Sequence, residues 1–247
     1  MISNFDCHSV THYLLLQRHL NPGQEFSIGA RVFGFVALIM FALANSIATA
    51  SEYPGPGVFE VVQSESEVRV LVYRGGLLGA FGHNHVISTT DIGGRIEIRE
   101  HPATSSVWLT IAVAGLEVDI DELRRQEGKP FRKTVSDKNK QGTQANMLGS
   151  KLLDSANFSS IDIRSRYWSG ELPDVLVKSE VTVRGQTNIL EFPATVSAGD
   201  EQIIVTGSFV VTHGQLGLTP FKAFLGGIRV RDQMEMKFRI TARRVSD

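Results

Sequence analysis

With 247 residues, 42% of them hydrophobic and 21% charged, the chain has an ordinary globular composition and enough apolar residues for a sizeable core. Its formal net charge of -1 at pH 7 argues against a general nucleic-acid binder, because such proteins carry a concentrated basic patch. The only cysteine is Cys7, so a chain that starts after residue 50 has no disulfide and no cysteine-ligated metal.

The first fifty residues differ from the rest of the chain. An uncharged run, residues 32–50, contains a dense apolar part at 32–44 that has the length of a signal-peptide core. Residues 1–50 are therefore interpreted as an N-terminal extension and signal peptide, and 51–247 as one exported domain, periplasmic or secreted. An uncleaved membrane anchor is the alternative, since the run is just long enough to span a bilayer. The long stretch before the run also leaves open an over-extended gene start.

Processing gives a first testable prediction. Small residues at Ala48 and Ala50 follow the apolar core, so cleavage is expected between Ala50 and Ser51. N-terminal sequencing of protein from the native host should find Ser51 first. A start at Met1, or an intact anchor in the membrane fraction, would refute this prediction.

From Glu52 onward the dominant hydrophobic period is two, which is typical of strands with one buried face. The clearest runs are, in chain order, VRVLVY (68–73), VWLTIAV (107–113), IDIRSRYW (161–168), VLVKSEVTVR (175–184), IIVTGSFVV (203–211) and MEMKFRIT (234–241). At least eight such runs follow one another across short polar or glycine-bearing turns. This order predicts an antiparallel sandwich or barrel, and closure into a barrel would remove exposed edges.

A polar segment, residues 121–158, interrupts the strands. Its later part predicts a helix, which we interpret as a cover over one end of the barrel; a separate interaction helix is the alternative. Asp119 and Asp121 at the start of the segment are expected to cap a helix. The apolar face of the helix is formed by Ala145, Met147, Leu148, Leu152 and Leu153.

The most unusual stretch is GLLGAFGHNHVI, residues 76–87, in which glycines precede His83 and His85. Residues two apart on a strand share a face, about 7 Å apart along the backbone. The pair would suit two ligands of one metal, but a metal site needs further ligands, and His101 and His213 lie at no recognisable ligand spacing. A structural or ligand-contacting pair is the preferred interpretation.

Motifs for catalysis are absent from the sequence. It contains neither a nucleophile elbow nor HExxH, and its glycine spacing differs from both the phosphate loop and the dinucleotide fingerprint. No catalytic residue and no cofactor is therefore expected.

Three stretches together resemble the YceI-like family: VRVLVYRGGLLGAFGHNHVI (68–87), TQANMLGSKLLDSANF (143–158) and LGLTPFKAFLGGIRVRDQMEMKF (216–238). The chain departs from the family pattern at Gln215-Leu216 and at two serines, and the His83–His85 pair marks one branch. The resemblance implies an all-β fold: a lipocalin-like antiparallel β-barrel of about eight strands with a minor helix covering one end. It also implies an apolar ligand of the polyisoprenoid type.

The leading hypothesis is a non-enzymatic exported protein that sequesters or carries a long apolar lipid of isoprenoid type, with transient membrane contact. His83 and His85 would hold the head group at the mouth. The alternatives are a metal- or haem-binding redox accessory protein that uses the same two histidines, and a ligand-free stress-response protein. The sequence leaves open whether the interior is a cavity or a filled core. The residues predicted to contact the apolar part of a ligand are Val70, Val72, Leu109, Ile111, Phe209, Phe221, Phe224 and Phe238.

Overall fold

The protein is described by a computed structural model that covers residues 55–199 and 201–245, apart from the side chain of Phe224. The predicted signal peptide, its apolar core at 32–44 and the cleavage site between Ala50 and Ser51 lie outside the described residues.

Strands account for most of this part of the chain. They are β1 (Gly57–Val61), β2 (Glu67–Gly75), β3 (His85–Thr89), β4 (Ile92–Ile98), β5 (Ser106–Ala112), β6 (Glu117–Val118), β7 (Ser160–Glu171), β8 (Asp174–Val183), β9 (Gln186–Ala198), β10 (Gln202–Thr212), β11 (Lys222–Ala223) and β12 (Ile228–Arg244). The predicted alternation is clearest in β8, where Val175, Val177, Ser179, Val181 and Val183 are buried and the residues that alternate with them are more exposed.

The strands close into an antiparallel barrel. The pairing order is β1–β4–β5–β7–β8–β9–β10–β12, and β1 also pairs with β12, so eight strands complete the ring. One edge of the long strand β12 pairs with β10 and β11, and its other edge pairs with two strands: residues 229–239 pair with β2, and residues 242–244 pair with β1. Strands β2, β3 and β6 thus continue the wall toward the end of the barrel where β12 begins. The predicted fold class is confirmed.

Within residues 55–199 and 201–245, two α-helices interrupt the strands, α1 (Asp121–Gln126) and α2 (Asp137–Leu148). The side chain of Ser136 caps α2 by accepting from the Asn139 N–H at 3.4 Å. The helix ends at Gly149, earlier than the predicted apolar face required: Met147 is buried within it, whereas Leu153 is buried in the turn that follows. Neither of these two helices is long and apolar enough to cross a membrane.

The wall near β3 has apolar contacts on both faces. Toward the interior, Val72 lies opposite His85 in the strand pairing. Toward the outside, Leu71 and Val86 pack with Phe131, which lies in the chain between α1 and α2. This outer layer fixes β3 against the helical segment and so positions the polar residues described next.

Candidate ligand-binding site

The barrel encloses a cavity of about 1010 Å³ that opens between α2 and the loops at residues 76–84 and 217–227. A cavity of this size is at the upper end of the range for small-molecule sites. Its wall is overwhelmingly apolar, and the interior is therefore not a filled core. Among the residues predicted from sequence, those that line the cavity are Val70, Val72, Leu109, Ile111, Phe209 and Phe238.

Phe221 and Phe224 need separate treatment. Phe221 also lines the cavity, but it is 42% exposed and lies at the mouth, not in the apolar interior. The side chain of Phe224 lies outside the described residues. Whether any of these side chains contacts a ligand stays a prediction.

An aromatic cluster lies on the wall formed by β9, β10 and β12. The rings of Phe192 and Phe209 stack with centroids 4.9 Å apart, and Phe238 meets Phe192 edge-on at 5.9 Å. Gly207, opposite Phe238 across the strand pair, makes room for this ring, because an added Cβ would lie 2.4 Å from the ring. The cluster gives the cavity a flat aromatic surface suited to an apolar chain.

His85, the first residue of β3, is held by a buried carboxylate. Its Nδ1 donates to Oδ2 of Asp119 at 2.6 Å. Oδ1 of Asp119 accepts from the Val86 N–H at 2.9 Å and from the guanidinium of Arg124. Because Nδ1 carries the proton, Nε2 of a neutral His85 ring is an acceptor, and His85 lines the cavity.

Asp119 and Arg124 form a buried ion pair, 0% and 5% exposed. Burial by itself raises the pKa of the Asp119 carboxyl. The hydrogen bond and charge of His85, the Val86 N–H and the charge of Arg124 together outweigh burial and hold this pKa below its ordinary value. The carboxylate is therefore ionised at neutral pH.

Arg124 also ties the mouth region together through backbone carbonyls. It donates to the carbonyl oxygens of Asn84 (2.7 Å), Phe131 (2.7 Å) and Lys133 (2.8 Å). Asn84 in turn donates from its side chain to the carbonyl of Pro130 at 2.9 Å. Asn84, which lies between His83 and His85, thus anchors the loop to the helical segment.

His83 also borders the cavity, and its ring centroid lies 6.2 Å from that of His85. Burial lowers the pKa of His83, as do the charges of Lys133, His85 and Arg124, so its ring is neutral at neutral pH. In residues 55–199 and 201–245, no group of three or more His, Cys, Asp or Glu side chains is arranged to hold a metal ion.

Sequence reasoning missed three polar residues of this region. Asp119 was expected to cap a helix; instead it is fully buried on His85, and α1 has no side-chain cap. Buried His213, whose Nδ1 lies 2.9 Å from the Asp232 carbonyl oxygen, lines the cavity. Trp168 lines it too, and its indole Nε1 is buried with no hydrogen-bond partner in the described part of the chain.

A closed antiparallel barrel around an apolar cavity, with polar groups near one mouth, defines a lipocalin-type binding barrel. The family model described as the YceI-like domain matches residues 59–242, and the chain belongs to this family, whose barrels bind hydrophobic ligands and generally serve as binding folds, not enzymes.

One solved structure shows the same fold at low identity, and a second is reported as similar. BcnA of Burkholderia cenocepacia is 13% identical, with a TM-score of 0.53 over 73% of this chain and 98% of that one. The Campylobacter jejuni YCEI protein is 8% identical, with a TM-score of 0.47 over 65% of this chain and 85% of that one. No curated protein sequence matches the chain.

Proposed function

We propose that the protein is a non-enzymatic carrier that sequesters a long apolar lipid, isoprenoid in type, inside its barrel. The observation that carries the proposal is the cavity of about 1010 Å³ with an almost wholly apolar wall. An isoprenoid chain that buries about 400 Å² would gain roughly 10 kcal/mol, before the costs of ordering the ligand are subtracted. Binding of this strength requires no catalytic group.

The head group would lie at the mouth, against His83 and His85. The Asp119 hydrogen bond fixes the orientation of the His85 ring and leaves Nε2 to contact a head group such as a hydroxyl, which can both donate and accept. Export to the periplasm, or secretion, is part of the same proposal and is supported by the apolar run at residues 32–44.

Native mass spectrometry of gently purified protein from its native host tests the proposed function. A bound mass of a long lipid, released on denaturation and identified as an isoprenoid, is the expected result. Stoichiometric metal or haem in place of lipid would overturn the proposal in favour of a redox role. An empty barrel that takes up no extracted lipid would overturn it as well.

The two histidines allow a test of the head-group site. His83→Ala is expected to weaken binding of the extracted lipid with little loss of stability, because this side chain has no hydrogen-bond partner among the described residues. His85→Gln should weaken binding too, with a modest stability loss of about 1–3 kcal/mol, because Asp119 loses a partner. Lipid titration and thermal melting of both variants measure these effects.

Acidification should also weaken lipid binding by the wild-type protein. The lowered pKa of His83 means that its ring gains a proton only below the ordinary value of 6.5, and the added charge would then face an apolar cavity. Binding is expected to weaken as the pH falls through this range, and less so in His83→Ala. Unchanged lipid affinity in both His83→Ala and His85→Gln would contradict the head-group role of these histidines. Metal chelators should not change the lipid affinity of the wild-type protein.

A further inference from the structure

Two loops at the cavity mouth carry exposed apolar side chains. The loop between β2 and β3 presents Leu77, 100% exposed, and Phe81, 73% exposed; the loop between β11 and β12 presents Leu225, which is also fully exposed. Large apolar residues grouped on a surface in this way usually mark an interaction site. We call these two loops, residues 76–82 and 221–227, the rim.

The rim is one continuous surface, because its two loops are hydrogen-bonded to each other. The Leu78 N–H donates to the Gly227 carbonyl at 2.8 Å. Gly76 has a positive φ of 87°, and an added Cβ would lie 2.5 Å from the Gly227 oxygen, so only glycine permits this approach. The apolar tips are thereby kept side by side.

The charge around the rim has one sign. Residues 74–85 and 217–231 contain no Asp or Glu. Lys133 adds a cation from the helical segment, and its Nζ lies 3.3 Å from the Ala80 oxygen and 3.2 Å from the Gly82 oxygen. The cations carried by the two stretches themselves are Arg74, Lys222, Arg229 and Arg231.

A recess of about 1030 Å³ adjoins the rim and gathers these cations. It is lined by all four of them and by glycine backbone, with Asp232 as its only carboxylate. Asp232 accepts from the Gly214 N–H at 3.3 Å. Among the described residues, none of the four cations forms an ion pair with a carboxylate. The recess therefore presents an uncompensated positive charge.

We propose that the rim docks on an anionic phospholipid bilayer. Leu77, Phe81 and Leu225 enter the headgroup region, while the neighbouring cations contact lipid phosphates. Phe81 and Phe221 border both the rim and the cavity, so docking brings the cavity mouth to the bilayer. A lipid would then pass between membrane and barrel without crossing water. Docking goes beyond the proposed carrier function and does not depend on what fills the cavity.

The test is flotation of the naturally processed protein with vesicles. Binding is expected to vesicles of phosphatidylcholine mixed with phosphatidylglycerol, to be weak with phosphatidylcholine alone, and to fall with added salt. Leu77→Ser with Leu225→Asn should weaken partitioning at least about tenfold, since two apolar tips no longer leave water. Lys222→Gln and Arg229→Gln should each cost about fivefold.

The matched control is Val58→Ser with Val245→Ser. These valines are 37% and 45% exposed and lie at the opposite end of the barrel, where β1 pairs with the end of β12. The control should bind vesicles like the wild-type protein, and analytical ultracentrifugation of all variants reports their oligomeric state.

Three results would overturn the docking proposal. The first is vesicle binding that the rim substitutions do not change, as an uncleaved N-terminal anchor would cause. The second is equal binding to neutral vesicles at high salt. The third is a protein that binds no vesicles and that the leucine substitutions convert from a dimer to a monomer. Delipidated wild-type protein separates the two proposals, because docking should survive without ligand. Rim-dependent binding by a protein that never carries lipid would refute the carrier function alone.

Discussion

Asp119→Ala is expected to destabilise the protein by about 3–5 kcal/mol, because it leaves the guanidinium of Arg124 buried without its counter-charge. Asp119 is 0% exposed and Arg124 is 5% exposed, so solvent cannot replace the lost partner. The variant also removes the acceptors of His85 and of the Val86 N–H. Chemical denaturation monitored by circular dichroism measures the loss.

The control for this prediction is Asp121→Ala, two residues away. Asp121 is exposed and pairs with Lys140 at 2.8 Å, and such solvent-screened surface pairs contribute little to stability, so Asp121→Ala should unfold almost like the wild-type protein. Equal losses of stability in the two variants would mean that the buried pair of Asp119 and Arg124 stabilises the fold no more than a surface pair does.

The same carboxylate should make stability depend on acid. A group whose folded-state pKa is lowered contributes stability that is complete above its ordinary value, here 3.8, and is lost as the pH falls through the lower folded value. Acidification below pH about 4 should therefore cost the wild-type protein more than Asp119→Asn, which lacks this titration.

The barrel could be predicted from sequence because each strand buries one face. In β8, Val175 and Val177 face inward while Lys178 does not, and this alternation is visible in the letters alone. The sharing of β12 between β1 and β2 could not be predicted in this way. The period-two pattern runs through β12 on both sides of residues 239–242, where the neighbour changes from β2 to β1, so the letters do not show the change.

The end of α2 was harder to predict for a physical reason. The helix borders an open cavity mouth, so residues lining the cavity include polar Asn139 and Thr143 as well as Met147. A helix of this kind lacks the broad apolar stripe of a core-packed helix. The leucines at 152 and 153 completed a stripe in the sequence, but Gly149 ends the helix before them.

Only some of the polar residues of the candidate site could be predicted from the sequence. The pair His83 and His85 was visible because period two places both on one face. Asp119 lies 34 residues beyond His85 and reaches it only because Val118 pairs with Ile87 across β3 and β6. Locally, an aspartate two residues before a short helix resembles a cap, so its burial required knowledge of the strand pairing.

The aromatic cluster is the place where cavity and stability are most directly linked. Phe238 touches the rings of Phe192 and Phe209, at centroid distances of 5.9 and 6.5 Å, and lies over Gly207. The position lines the cavity among apolar side chains, so a carboxylate placed there would leave water for an apolar environment.

Phe238→Asp is therefore expected to cost several kcal/mol unless the new carboxyl is neutralised, and to abolish lipid retention. Thermal melting and the bound mass in native mass spectrometry measure both effects. Phe238→Leu also removes the ring but keeps the wall apolar, so it should retain lipid. This control shows whether the new charge or the missing ring causes the loss of lipid in Phe238→Asp. Tyr167→Asp is the outward-facing control: Tyr167 is 51% exposed and lies opposite Lys178, so this variant should melt and bind like the wild-type protein. Equal behaviour of Phe238→Asp and Tyr167→Asp would contradict the apolar cavity as the binding site.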